Sequence, residues 1–261
     1  MKKRITIAVA LIIVVGGGIT AYLCMQRTKS ESMPQSIEVP MPAKSPESDT
    51  LKQIPEITSK QLLLPRLAES DKLVLDTLAE LITDKSLRNL FFGKQMIRQI
   101  VATIDNLPRK RLPVTVCPVK RAKGKFITEG SEDKKAISPA NAKRYSAYVK
   151  IAEDIDAKKL VETYLSLYPL FQQAYEELGY PGKKFHDRLM IALYDLLNAP
   201  AIEEPIKLIQ PNVFYLYADQ DLESRSAGQK ILLRIGKENS AKIRKKLYEI
   251  RQQLILHNRP G

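Results

Sequence analysis

Residues 5–25 read ITIAVALIIVVGGGITAYLCM, a run of 21 residues without a charge. As an α-helix rising about 1.5 Å per residue it is roughly 31 Å long, the thickness of a bilayer's hydrocarbon core. A buried helix of a soluble domain explains so long an uncharged run poorly. Gly16, Gly17 and Gly18 would weaken a soluble helix but are tolerated in a span. Lys2, Lys3 and Arg4 precede the run, and the sparser Arg27 and Lys29 follow it. The positive-inside rule then places residues 1–4 in the cytoplasm and the rest of the chain beyond the membrane. A cleaved signal peptide fits less well, since its apolar region is shorter and ends at a small-x-small site. Leu23 stands before Cys24 where a lipoprotein signal needs a small residue. Gly17 and Ala21 have small-xxx-small spacing, which can pair spans into a homodimer, although small residues are common in spans in any case.

Residues 26–60 change character. Pro34, Pro40, Pro42, Pro46 and Pro55 fall among Ser, Lys, Glu and Gln, with no helical apolar period. Such a segment buries too little surface to offset its ordering entropy, so the composition predicts a disordered tether with a reach of roughly 30 Å. Apolar periodicity returns at residue 61 and defines one domain, 61–261. Its 34 Lys+Arg against 24 Asp+Glu leave +10 of the chain's +13. A basic balance favours anionic partners without choosing among nucleic acid, lipid headgroups and envelope polymers.

Most of the domain reads as helix. Ser70 is placed to cap a segment carrying Leu73, Val74, Leu78, Leu81 and Ile82. Met96, Ile97, Ile100, Val101 and Ile104 form a second stripe, ended by Pro108. Asp156 caps a long segment that Pro169 should kink and Gly179-Tyr180-Pro181-Gly182 stops. Phe185, Leu189, Leu193, Leu196 and Leu197 line the next helix; others are predicted around 213–217, over 228–235 and from about 240 to 256. Residues 108–142 differ. Val114-Thr115-Val116 and Phe126-Ile127-Thr128 have strand character, with a turn at Lys123-Gly124-Lys125. Pro113 and Pro118 favour an edge or an irregular loop there. The fold class expected is mainly α: a single N-terminal transmembrane helix plus one multi-helix domain with a long basic loop or small β-hairpin excursion.

The excursion holds the leading candidate site. Arg109, Lys110, Arg111, Lys120, Arg121, Lys123 and Lys125 occur without an acidic residue among them, a composition that attracts phosphates or carboxylates. A second basic surface, Lys242, Arg244, Lys245, Lys246 and Arg251, reads more simply as a solvated helix face. Tyr164, Tyr168, Phe171 and Tyr175 share one helix face and read as core. Asp219-x-Asp221 near Glu223 reads as helix capping, and His186-Asp187 has no nucleophile motif beside it. Cys117 is the one cysteine of the domain, and burial is its simplest reading. No motif calls for a cofactor or a metal.

Four segments carry a resemblance. IDNLPRKRLP at 104–113, YPLFQQAYEELGYP at 168–181, FHDRL at 185–189 and SAGQKILLRIG at 226–236 resemble, in this order, a bacterial, mostly proteobacterial, membrane-anchored family catalogued as a domain of unknown function (number 3014). The similarity spans roughly residues 62–256. It implies an N-terminal anchor, a variable linker and this one domain, and brings no activity or site residues with it. The leading expectation is an inner-membrane protein with a periplasmic interaction or scaffold domain that meets an envelope protein or anionic polymer. An envelope hydrolase using Asp187 and the acidic residues near Asp219 is the alternative from another class. A cytoplasmic nucleic-acid binder requires inverted topology, so nucleic acid is the disfavoured partner.

Overall fold

The computed structural model describes residues 64–257, apart from 83, 132, 133, 202 and 203. The span expected at 5–25 and the tether at 26–60 lie outside the described residues. Among the described residues no helix is long and apolar enough to cross a membrane.

The described chain is mainly helical, with nine α-helices and four two-residue strands. In order, α1 is Asp71–Leu81, α2 Lys85–Arg88, α3 Met96–Asn106, α4 Asn141–Asp154 and α5 Ala157–Glu177. Then come α6 Phe185–Leu197, α7 Gln220–Ser224, α8 Ala227–Arg234 and α9 Lys237–His257. α3 packs on α5 and α6, and α9 lies against α4, α5, α6 and α8. Ile243, Leu247, Ile250 and Leu254, four residues of one face, carry α9 into this core. Each such side chain contributes about 1.5–3 kcal/mol by leaving water.

Helix ends follow local chemistry. Asp156 accepts from Lys159 N at 2.7 Å and starts α5, which runs on through Pro169. Gly179, at φ +110°, lets the chain turn away after that helix. Ser70, expected to cap α1, does not. Its backbone is already helical, and its Oγ donates back to Leu67 O at 2.8 Å. A capping side chain needs extended backbone at that position. α3 has no cap of its own either. Gln95 before it has φ +50°, and the Asp71 carboxylate accepts from the N–H groups of Gln95 and Met96 at 2.7 and 2.8 Å.

Two further expectations fail. Residues 213–217 are not helix: β4 (Leu216–Tyr217) pairs antiparallel with β3 (Leu208–Ile209). The β-branched and aromatic run Val213-Phe214-Tyr215 suits extended chain better than helix. Val114–Val116 is a 3-10 turn rather than a strand, closed by Val116 N donating to Pro113 O. The flanking prolines lack the N–H groups a ladder needs. β1 (Thr128–Glu129) pairs with β2 (Ala136–Ile137) instead, and a bridge from Ala136 to Lys207 joins the two ladders. Ile137, Ile206, Leu208, Tyr217, Leu222 and Leu233 make a second, smaller core beneath them.

Candidate functional site

Asp105 lies on the last turn of α3 and is 4% exposed. A carboxylate in that position costs several kcal/mol unless it is paired. Arg188, from the first turn of α6, donates Nε to Oδ1 at 2.9 Å and Nη2 to the backbone carbonyl of Asp105. Arg109, one turn beyond Asp105, donates Nη2 to Oδ2 at 2.8 Å. The same Nη2 reaches Tyr180 Oη at 2.6 Å, and that hydroxyl donates to Asp105 Oδ2 at 3.3 Å. Burial works against the Arg109 charge, but Asp105 and Tyr180 hold its pKa above the usual value. The carboxylate thus fixes two guanidinium groups and a phenol that come from three separate elements.

The turn between α5 and α6 places Tyr180. Its ring stacks on Tyr175 with centroids 4.7 Å apart, and Lys183 Nζ lies 5.7 Å from its centre. Gln172 of α5 pins this turn, donating to Lys183 O at 2.9 Å and accepting from Phe185 N at 2.9 Å. The result is a cavity of about 530 Å³ bounded by Asp105, Arg109, Arg188, Tyr180, Lys183 and Lys184, with Tyr175, Asp187 and Ile191 completing its wall. Lys183 and Lys184 are exposed and form no ion pair among the described residues.

α8 supports the cavity from behind. Ala227 N and Gly228 N donate to Arg109 O and Leu107 O at 2.6 and 2.9 Å, which fixes the chain where it leaves α3. Glycine makes that approach easy: a Cβ at 228 would stand 2.6 Å from Leu196 Cδ2, which would have to move, and 3.3 Å from Leu107 O. Ser226 caps α8 and donates to Asp195 Oδ2 at 2.6 Å, while Gln229 Nε2 donates to Asp195 Oδ1 at 3.0 Å. Burial raises the Asp195 pKa against these hydrogen bonds. The four segments that resemble the family therefore converge on one place: Asp105 and Arg109 from the first, Tyr175 and Tyr180 from the second, Arg188 from the third, and the start of α8 from the fourth.

The family model for the protein of unknown function DUF3014 matches residues 96–251. The chain belongs to that family. No curated protein and no solved structure matches it. The stretch of DUF3014 that matches contains every residue of the cavity wall.

Of the seven cations expected to form a loop site, only Arg109 lines the cavity. Lys110 Nζ donates to Ser224 O at the end of α7. Arg111, Lys120, Arg121, Lys123 and Lys125 are exposed. The backbone of Lys120 bonds Leu90 and Tyr148, and the carbonyls of Lys123 and Gly124 accept from Arg144 of α4. On α9, Lys242 pairs with Glu153 and Lys246 with Glu249. Asp219 caps α7 by accepting from Asp221 N at 2.8 Å, and Glu223 pairs with Lys230 at 2.9 Å. Tyr164, Phe171 and Tyr175 are buried, Phe171 stacking on Phe185 at 5.7 Å, so the aromatic stripe is core up to the point where Tyr175 reaches the cavity. Cys117 is buried, and burial pushes its thiol up to about 12.

Asp105, Tyr180, Lys183, Lys184 and Arg188 were not candidates from sequence. One local signal for Asp105 existed. It continues the apolar face of Ile97, Ile100, Val101 and Ile104, with Arg109 four residues on. A carboxylate on a buried stripe with an arginine at i+4 calls for a further cationic partner.

Proposed function

We propose that this chain is a membrane-tethered recognition module whose helical domain captures an anionic group of an envelope partner in the cavity over Asp105. One observation carries the reading: the Asp105 carboxylate fixes Arg109 and Arg188 at the wall of a cavity whose rim adds two lysines without ion-pair partners among the described residues. Fixed guanidinium groups are effective anion receptors because little entropy remains to be lost on binding. The position of Lys184 supports it too. Lys184 stands at the N-terminal cap of α6 and supplies no capping acceptor, although the helix dipole there favours negative charge. Gln172 takes the Phe185 N–H there, so what the helix end adds toward an anion is the field of its dipole.

The uncharged run at 5–25 anchors the module, and the proline-rich segment at 26–60 gives it reach. Positive charge before the run sets the domain on the far side of the inner membrane. Two experiments test the reading. Calorimetric titration of the full-length protein in neutral detergent with inorganic phosphate and with citrate should give saturable one-site binding that weakens with salt. Lys183→Ala/Lys184→Ala should weaken it strongly, and heat traces identical for variant and parent would defeat the assignment. A C-terminal reporter active only outside the cytoplasm should give signal, whereas signal from its cytoplasmic counterpart would overturn the envelope placement.

A further inference from the structure

We infer that the group taken by the cavity is a phosphate monoester, a step that rests on the anion-recognition reading above. Charge comes first. Arg109, Lys183, Lys184 and Arg188 stand against Asp105 and Asp187 in the cavity wall, which leaves two positive charges uncompensated. A monoester carries about −1.5 to −2 near neutral pH, whereas a single carboxylate or a phosphodiester carries one negative charge.

The donors come second. Asp105 orients the two arginines, so their remaining N–H groups approach from fixed directions. Lys183 and Lys184, from the turn between α5 and α6, add flexible ammonium groups. Donors that converge from several directions suit three terminal oxygens better than the two of a carboxylate. The N-terminus of α6, which Lys184 does not cap, adds a field of the same sign.

Shape comes third. About 530 Å³ is the scale of a small-molecule site, well beyond a single phosphoryl group. Tyr175, Tyr180 and Ile191 bound the remainder, so the body of the ester carries a ring or an apolar face. The same chemistry occurs in a soluble ester, a polymer end and a monoester lipid headgroup.

The test uses the full chain in lipid nanodiscs of phosphatidylcholine, titrated with phenyl phosphate and with benzenesulfonate. The second probe has the same ring and three oxygens but one charge. Phenyl phosphate should bind at one site, at least roughly tenfold more tightly than benzenesulfonate. Its affinity should fall as pH drops through about 6, where the monoester takes up a proton, with no such fall for the sulfonate. Lys183→Ala/Lys184→Ala should weaken phenyl phosphate roughly tenfold or more with an unchanged unfolding midpoint. Equal affinity for the two probes would overturn the monoester and leave the anion reading standing. Failure of both to bind would remove both readings, and so would unaltered binding by the double variant. Phosphatidic acid in the nanodisc identifies the source: competition with phenyl phosphate points to a lipid headgroup, and its absence to a soluble or polymer-borne ester.

Discussion

Arg109 is held by the Asp105 carboxylate, by the Asp105 backbone and by Tyr180, whereas Lys123 and Gly124, further along the same basic stretch, offer only their backbone carbonyls to Arg144. Both regions are rich in positive charge. In the first, a buried carboxylate orients the cations, two further elements contribute, and a cavity results. In the second, the lysine side chains are exposed, and the hydrogen bonds shape the backbone instead of the charges. Charge density creates an attractive field, but a site requires charges whose directions are fixed before the ligand arrives.

The largest expected effect tests the anchor of that first region. Asp105→Asn keeps the shape but removes the charge, leaving Arg188, whose side chain is 19% exposed, without its counter-ion. Breaking a buried pair from one side costs about 3–5 kcal/mol, and the half-exposed Arg109 keeps the loss near the lower end, at about 3 kcal/mol. Arg144→Ala, which frees the Lys123–Gly124 turn, should cost only about 1 kcal/mol. Urea unfolding of the two variants measures both. Equal losses would abolish the distinction between an anchored region and a tied one.

Next in size is Gly228→Ala. A methyl group 2.6 Å from Leu196 Cδ2 forces that buried side chain to repack and presses on Leu107 O at 3.3 Å, an overpacking that costs about 1–3 kcal/mol. The contact with Leu107 O bears on the hydrogen bonds from Ala227 and Gly228 to the chain at Leu107–Arg109. Anion affinity should therefore fall together with the thermal midpoint. Normal affinity in a destabilised variant would mean that α8 supports the fold but not the cavity.

Much of the helical frame was legible because its signals are local. The four-three-four spacing of Ile243, Leu247, Ile250 and Leu254 marks α9, and Asp156 caps α5 as its position suggests. Extended segments were not, since β3 and β4 are two residues each and owe their pairing to neighbours rather than to a pattern. The site was hardest to see. The basic count drew attention to residues 109–125, but Arg188 reaches Asp105 across 83 positions of chain, and no spacing within one helix announces that contact. Tyr180 had an evident local role as part of a helix-stopping turn, which hid its second role in the cavity.

A smaller effect separates the regions by pH. His186 sits beside Asp187 at the start of α6, with its Nδ1 3.3 Å from Tyr164 Oη. Burial lowers its pKa from 6.5; Asp187 opposes the shift and Lys184 adds to it. A histidine whose folded pKa lies below the unfolded value binds fewer protons when folded. Its contribution is complete above about 6.5 and is lost as pH falls from there toward the folded pKa. The thermal midpoint should therefore decline below about pH 6.5, and His186→Gln should flatten that decline. An unchanged slope in the variant would assign the acid sensitivity to other groups.

The smallest expected effect bears most directly on the comparison. Arg121→Ala/Lys123→Ala/Lys125→Ala removes three exposed cations and none of the side-chain hydrogen bonds that hold the turn, which Arg144 makes to backbone. Stability should stay within about 0.5 kcal/mol of the parent. Affinity for phenyl phosphate should fall at most about twofold at physiological salt, because exposed charges outside the cavity wall are weakened by solvent and salt. The association rate at low salt is the sharper reading, since long-range attraction acts there and fades as salt is added. A modest slowing that vanishes with salt would give this segment a steering role beside the anchored cavity. A loss of affinity as large as that of Lys183→Ala/Lys184→Ala would show instead that the exposed segment closes onto the ligand, and the two basic regions would then be one site.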